Sequence, residues 1–398
     1  MKGNTHYRSP WFALFVLLTA SVAAPLNQFK VPPVLPLLMD AFSLSVGRAG
    51  LLMSVFALTG LILALPVGFV FQKLGYRITG LLAVGSVIVG ASMGAVSTGT
   101  GTMLISRVIE GLGMSFMTVV APAVIATWFA ADERGTPMGI WATWVPLGST
   151  VTFVVAPLLV ARWNWQAVWW FGCLFAAVGW LLYYFFIKTA PIQFAGTDSL
   201  ARPKRLMGND LVRVLRNRDL WLISLLFCCF NLAFIAFVTW TPTFFNAIRG
   251  VSLARASLFM SFLTMFSLVS LPISGWISDR AGSRKLVCVT PMILLMILWP
   301  VTFFVGEGGF LPLVIAMGLV GGFVPTGVFS AGVEAVGDER LAGMAMAVIQ
   351  VGQNAGMLMG PLAFGGIVEA AGGWQIAFWM LVPVCAVGAM AGWMARMR

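Results

Sequence analysis

The segment Gly68-Phe-Val-Phe-Gln72-Lys73-Leu-Gly75-Tyr-Arg77 returns 207 residues later as Gly275-Trp-Ile-Ser-Asp279-Arg280-Ala-Gly282-Ser-Arg284-Lys285. Gly68, Gly75 and Arg77 all map forward by that one interval. The match extends outward from there. Asp132-Glu133-Arg134 maps onto Asp338-Glu339-Arg340 at a shift of 206, and Trp165-Gln166 onto Trp374-Gln375 at 209. Pro32 falls near the counterpart of Pro242. A near-constant shift along the chain means that one unit is duplicated in the same orientation.

The composition says what the unit is made of. The 398 residues are 60% hydrophobic and 9% charged, against roughly 45–50% and 25% in an average soluble protein. So few charges cannot solubilise so much apolar surface. A soluble enzyme, a disordered chain, a collagen and a disulfide scaffold are excluded. Long unbroken apolar runs exclude a β-barrel, whose strands alternate in polarity. The expected fold is all-α and membrane-embedded, with twelve transmembrane helices in two six-helix bundles.

A helix needs about 20 apolar residues to cross the hydrocarbon core. Twelve runs qualify, at about 11–38, 49–70, 79–98, 102–128, 138–161, 166–187, 219–245, 255–277, 286–305, 310–333, 342–368 and 375–395. The first has a basic start and a Ser21-Val22-Ala23 sequence that a signal peptidase could read. Its apolar run resumes after that point and has a counterpart in the second half, so it reads as a span. Residues 188–218 are polar and hold seven of the basic residues. They separate a first bundle at 1–187 from a second at 219–398. Arg202, Lys204 and Arg205 there are candidates for anionic lipid headgroups, the plainer reading being a positive-inside anchor.

Lys and Arg set the orientation. With the N-terminus in the cytoplasm, 18 of the 24 basic residues fall on that side and four on the other. Both termini are therefore expected inside. The net charge of +11 is mostly this bias, and nucleic-acid binding is not implied. The short loops and compact chain suit a bacterial inner membrane, with a monomer as the expected unit.

At the repeated segment the chain resembles a known family. The pattern G-x-x-x-D-[RK]-x-G-x-[RK]-[RK] between the second and third helices looks like the signature of the major facilitator superfamily. Gly275 to Lys285 matches it fully. The first copy carries Gln72 in place of the aspartate. Arg107-Val-Ile-Glu-Gly111-Leu-Gly113 resembles the fourth-helix motif of that family. Gly352, Gly356 and Gly360-Pro361 resemble its glycine-proline motif, better known from the fifth helix, where only Gly139 and Gly148 occur. Asn27-Gln28-Phe29-Lys30-Val-Pro-Pro is similar to permeases grouped with the cyanate and nitroimidazole transporters. The resemblance implies alternating access, with Gly68, Gln72, Gly75, Arg77, Asp279, Arg280, Gly282 and Arg284 acting in gating. Gly75 and Gly282 permit tight turns, and Asp279 can face a helix N-terminus or a guanidinium. The plainer reading is turn residues with solvated charges, and Gln72 makes the first copy a weaker latch.

Function is concentrated in three charges that lie inside the spans. A charge at the bilayer centre costs about 2.5–3.5 kcal/mol on insertion scales, so Lys30, Arg107 and Glu110 are functional candidates by default. Lys30 lies ten residues before Asp40, about 15 Å along a continuous helix, too deep for easy snorkelling. It reads as a cavity residue, with an interfacial anchor as the other reading. Arg107 and Glu110 share a helix face. They read either as a self-contained structural pair or as part of the cavity, with Glu110 as the proton-coupling group. Lys30, Arg107 and ionised Glu110 sum to +1, which suits a small monoanion. Asn27, Gln28, Trp144, Asn231, Trp240, Gln350, Gln353 and Asn354 are the further candidates to bind substrate. Buried amides seek partners in protein or a cavity, and helix packing is the alternative role.

The leading expectation is a secondary transporter of a small organic or inorganic monoanion, with protons as a candidate co-substrate. An efflux pump for apolar compounds is the alternative from the same fold. An enzyme is not expected: His6 is the sole histidine, Cys173, Cys228, Cys229, Cys288 and Cys385 sit in apolar runs, and no metal-ligand spacing or nucleophile triad occurs. No cofactor is expected, and no Walker-type phosphate loop is present.

Overall fold

The structure is a computed structural model that describes residues 9–64, 66–130, 133–187, 208–338 and 341–397. Arg202, Lys204 and Arg205 lie outside the described residues, as do Asp132, Glu339 and Arg340. No strand occurs among the described residues.

In the first half the helices are α1 (Pro10–Gln28), α2 (Leu35–Phe42), α3 (Val46–Ala49), α4 (Leu51–Leu63), α5 (Pro66–Ala95), α6 (Thr100–Trp128), α7 (Gly135–Ala142), α8 (Trp144–Arg162) and α9 (Trp165–Phe186). A short α10 (Gly208–Leu215) ends the polar linker. The second half holds α11 (Arg218–Arg249), α12 (Leu253–Ala281), α13 (Arg284–Phe304), α14 (Glu307–Gly321), α15 (Phe323–Val336), α16 (Ala342–Ala371) and α17 (Trp374–Met394). Several spans are built from two helices. The first is α1 and α2 with a 3-10 turn, Pro32–Val34, between them. The fifth is α7 with α8, and the tenth is α14 with α15.

Eleven spans among the described residues are long and apolar enough to cross a membrane. The twelfth is α16. It is long enough, but Gln350, Gln353 and Asn354 dilute its apolar character. Large apolar side chains point outward all round: Trp163 is 66% exposed, Leu174 66% and Trp393 70%. Such a surface is tolerable only in lipid, so the protein is a multi-pass membrane protein.

The repeated segments make related turns. Gly75 has φ 69° within α5, and Gly282 has φ 61° at the end of α12. Both need the left-handed region that glycine enters without a Cβ penalty. Arg134 closes the end of α6, donating to the carbonyls of Phe129 at 3.1 Å and Ala126 at 2.7 Å. Cations are favoured at helix C-termini.

Near one end of the bundle Trp11 and Phe12 pack on Phe129 and Phe186, and the Arg396 backbone N–H donates to Asp219; this end is called here the linker side. The opposite side is the far side. Contacts between the halves pair α4 with α16, α8 with α12, and the 3-10 turn with α11 and α12. These run from the far end to mid-span, where Thr150 and Thr264 share a hydrogen bond of 2.7 Å. One buried apolar cluster joins Phe29, Val31, Val34 and Phe153 of the first half to Phe227, Phe237 and Trp240 of the second. The far side is thereby sealed by side chains from both halves.

This topology places Thr98 and Gly308 on one side of the bundle, and Lys73 and Ser283 on the other. In a background without the five native cysteines, an impermeant maleimide should label cysteines at Thr98 and Gly308 on intact cells. Cysteines at Lys73 and Ser283 should react only after lysis. Labelling of all four from outside would refute the arrangement.

Candidate functional site

The site begins with two adjacent prolines, Pro32 and Pro33. A proline lacks the N–H that would bond the carbonyl four residues earlier. Pro32 therefore leaves Gln28 O without its helical donor, and Pro33 does the same for Phe29 O. The helix stops at Gln28 and turns through Pro32–Val34 before α2 resumes. Irregular backbone at membrane depth needs its freed polar groups satisfied by protein. Arg107 of α6 does this. Its Nη2 donates to Gln28 O at 2.9 Å and its Nη1 to Asn27 O at 2.7 Å. Its Nε donates to Leu52 O of α4 at 3.0 Å. The guanidinium also lies 4.8 Å from the centre of the Phe56 ring.

Glu110, one turn along α6, accepts from Arg107 Nη1 with one oxygen. Its other oxygen accepts from Lys30 Nζ at 2.5 Å. Lys30 Nζ also donates to Asn27 Oδ1 at 2.8 Å. The Asn27 amide nitrogen donates to Ala23 O at 2.8 Å and to Gly172 O of α9 at 3.2 Å. Trp169 of α9 lies beneath, with its ring centre 4.6 Å from Nζ. One network therefore ties α1, α4, α6 and α9 together. Lys30, Arg107 and Glu110 are each 0% exposed.

Room for these groups comes from glycines. A Cβ at Gly90 of α5 would stand 2.6 Å from Glu110 Cγ and 2.7 Å from Ser106 O. A Cβ at Gly172 would overlap the Asn27 amide. Close helix approach at small residues is the usual device in membranes.

Several expectations change here. The helix is not continuous between Lys30 and Asp40, so a depth counted along it does not hold. Lys30 is not an interfacial anchor, because its amine is sealed inside the first half. Arg107 and Glu110 are not a self-contained pair: the carboxylate is shared with Lys30. Neither cation is unpaired. Gly90, Leu52, Trp169 and Gly172 belong to the site and were not singled out from the sequence. The i, i+4 spacing of Gly90 and Gly94 was the available signal.

The remaining candidates lie elsewhere. Trp144 is buried and stacked on Trp141 with centres 5.3 Å apart. Asn231 is buried and donates within its own helix to Phe227 O at 2.8 Å. Trp240 is fully buried in the second half, with its indole N–H on Pro361 O at 2.8 Å. Gln350, Gln353 and Asn354 are half-buried on α16. Asn354 donates to Gln350 O at 2.8 Å and lies against Gly60 of α4. Among the described residues, no hydrogen bond joins any of these to the charged network.

Of the gating candidates, Arg77 stacks on Tyr184, 5.9 Å from its ring centre. Arg280 lies 5.4 Å from the Trp276 ring centre. Arg284 donates to Glu334 Oε1 at 3.0 Å and Ser278 Oγ at 2.7 Å. The side chains of Gln72 and Asp279, and the surroundings of Gly68, lie outside what is described. No cluster of metal-ligating residues occurs among the described residues.

Comparison with known proteins fits this architecture. A hexuronate transporter of Bacillus subtilis is 21% identical over 92% of this chain and 89% of its own length. A protein of Cupriavidus necator named as a probable sulfoacetate transporter is 26% identical over the same shares. A solved bacterial homologue of the human lysosomal transporter Spinster, in an inward-facing and occupied conformation, superposes with a TM-score of 0.77 at 14% identity. That match covers 97% of this chain and 96% of the homologue, and it shows the fold. The Major Facilitator Superfamily model matches residues 17–343, and the chain belongs to that superfamily of membrane transporters.

Proposed function

We propose that this protein is a secondary transporter that carries a small organic or inorganic monoanion, a carboxylate foremost, across the cell's inner membrane by alternating access. Both termini lie in the cytoplasm and a single chain is the working unit. The observation that carries the reading is the charge balance of the buried network. Two cations face one carboxylate, so a formal +1 is held where water cannot screen it. An uncompensated buried charge is costly, and an anionic solute supplies the missing partner. The Trp169 indole N–H, beside Lys30, has no hydrogen-bond partner among the described residues and is a donor suited to an acid. The two relatives are named for acids, a hexuronate and sulfoacetate, which supports the same sign. An organic cation would want a spare carboxylate, and an efflux pump for apolar compounds has no use for the network.

Glu110 is the proposed proton-coupling residue. A proton on its carboxylate loosens the hold on both Lys30 and Arg107 and leaves them free for the anion. The half-buried amides of α16 are proposed to line the path between the halves. The turns at Gly75 and Gly282, with Arg77, Arg280 and Arg284, are proposed to gate the linker side.

Uptake of glucuronate, a hexuronate, into liposomes tests the reading after a thermal-shift screen against carboxylates and inorganic anions. Lys30→Ala should abolish uptake. Full transport in that variant would remove the anion site. Glu110→Gln should separate transport from proton movement, and an unchanged pH dependence would argue against coupling there.

Stability separates the two cations. Without Lys30, a neutral Arg107–Glu110 pair remains buried but Glu110 Oε1 and Asn27 Oδ1 lose their donor, so Lys30→Met should cost about 1–3 kcal/mol. Arg107→Met strands the Asn27 and Gln28 carbonyls and halves the support of Glu110. It should cost about 3–5 kcal/mol. Thermal unfolding in detergent reads the difference, and equal losses would contradict it.

A further inference from the structure

The far side is closed by a seam in which backbone meets backbone. Gly50, between α3 and α4, faces α16 so closely that a Cβ there would stand 2.5 Å from Pro361 O, 2.8 Å from Pro361 C and 3.0 Å from Leu362 Cα. A Cβ at Gly47 would stand 3.6 Å from Gly366 Cα. At the outer end of this seam the Glu369 side chain reaches back across it. Its Oε2 accepts from the Gly47 backbone N–H at 2.6 Å. The Ser45 hydroxyl donates to the same carboxylate, and Arg48 faces it. Glu369 is thus a carboxylate of the second half seated on the first turn of a helix in the first half.

The arrangement has a physical logic. Glycines remove the side chains that would hold the two helices apart, so the far side can close tightly. The close backbone approach adds to the apolar cluster that the two halves share. The charge-assisted bond from the Gly47 N–H adds to the hold, and it involves a group that can be switched off by a proton.

We propose that Gly47, Gly50 and Glu369 form the far-side gate of this transporter, a glycine seam latched by an ionised carboxylate. The proposal rests on the alternating-access part of the reading above and is independent of the anion. Glu369 is a positioning residue: it acts on the halves and touches no substrate.

The sign of its pH dependence follows from its surroundings. The Gly47 N–H first, then the Ser45 hydroxyl, hold the Glu369 carboxyl below its ordinary range, with Arg48 adding to them. When the gate opens, those donors leave and the carboxyl returns to an ordinary value near about 4.3. Closure is therefore fully favoured above that value and fades as pH falls through the lowered one. Arg48, on α3, is the charged group that faces it. The other ion pair at this side, Arg255 with Glu307 at 2.7 Å, lies within the second half and does not bridge the seam.

Spin labels at Thr98 and Gly308, in the cysteine-free background and in nanodiscs, read the far-side distance by double electron–electron resonance. At pH 7.5 the wild type should show mainly the short distance. At about pH 4 the long distance should grow. Glu369→Gln should raise the long-distance population roughly threefold or more at pH 7.5, from loss of the charge-assisted bond, and should lose its pH response. Glu369→Asp should restore part of both. Gly50→Ala should favour the long distance at either pH. Alanine is the better helix former by about 1 kcal/mol, so a damaged helix would not account for that result. If Glu369→Gln and Gly50→Ala match a mobile wild type, the latch is wrong and alternating access stands. A wild type whose distances never move, at either pH or with glucuronate added, would sink both.

Discussion

Arg107 holds together a helix that the sequence breaks. The prolines after Lys30 deprive carbonyls of their helical donors in a medium where no water can replace them. One guanidinium on a neighbouring helix supplies three donors to three carbonyls on two other helices. Arginine is suited to this because its donors are numerous, fixed in a plane and permanently charged. Everything near the middle of the first half follows from that anchor. The break lets α1 turn from the linker side toward the second half, where Phe29, Val31 and Val34 join the shared apolar cluster.

The anchor brings a charge that must itself be balanced, and Glu110 does so from one turn away on the same helix. Lys30 then tips the sum to +1. The pair alone would be a sufficient structural device, since it is neutral and every donor of Arg107 that is described is used. Lys30 adds no support to the broken backbone. Its amine touches Glu110, Asn27 and the Trp169 face. A charge in excess of what the structural pair needs, buried at a cost, is the feature that connects a packing arrangement to solute recognition.

Closure between the halves relies on different physics from packing within them. Within each half, helices meet through large apolar and aromatic side chains, such as Phe227 edge-on to Phe329 or Trp240 beside Phe364. Across the seam of α4 and α16, glycines bring backbone to backbone, and between α8 and α12 the hydroxyls of Thr150 and Thr264 meet.

Much of the fold is legible in the residues alone. The constant interval that carries Gly68 to Gly275 and Gly75 to Gly282 announces two related halves, and Gly75 and Gly282 both make turns with positive φ. Span lengths follow from bilayer thickness, and twelve apolar runs find their helices within a few residues at most ends. The helix that least resembles a span, α16, does so because its amides face protein, which hydropathy does not register. Arg107 and Glu110 are readable as neighbours from their spacing of three. That Glu110 is also the partner of Lys30, 80 positions away, is not. Nor is the seat of Glu369 on Gly47, 322 positions away. Periodicity along one helix says which residues share a face. Which face meets which depends on the rotation and crossing of packed helices, and only the tertiary structure decides that.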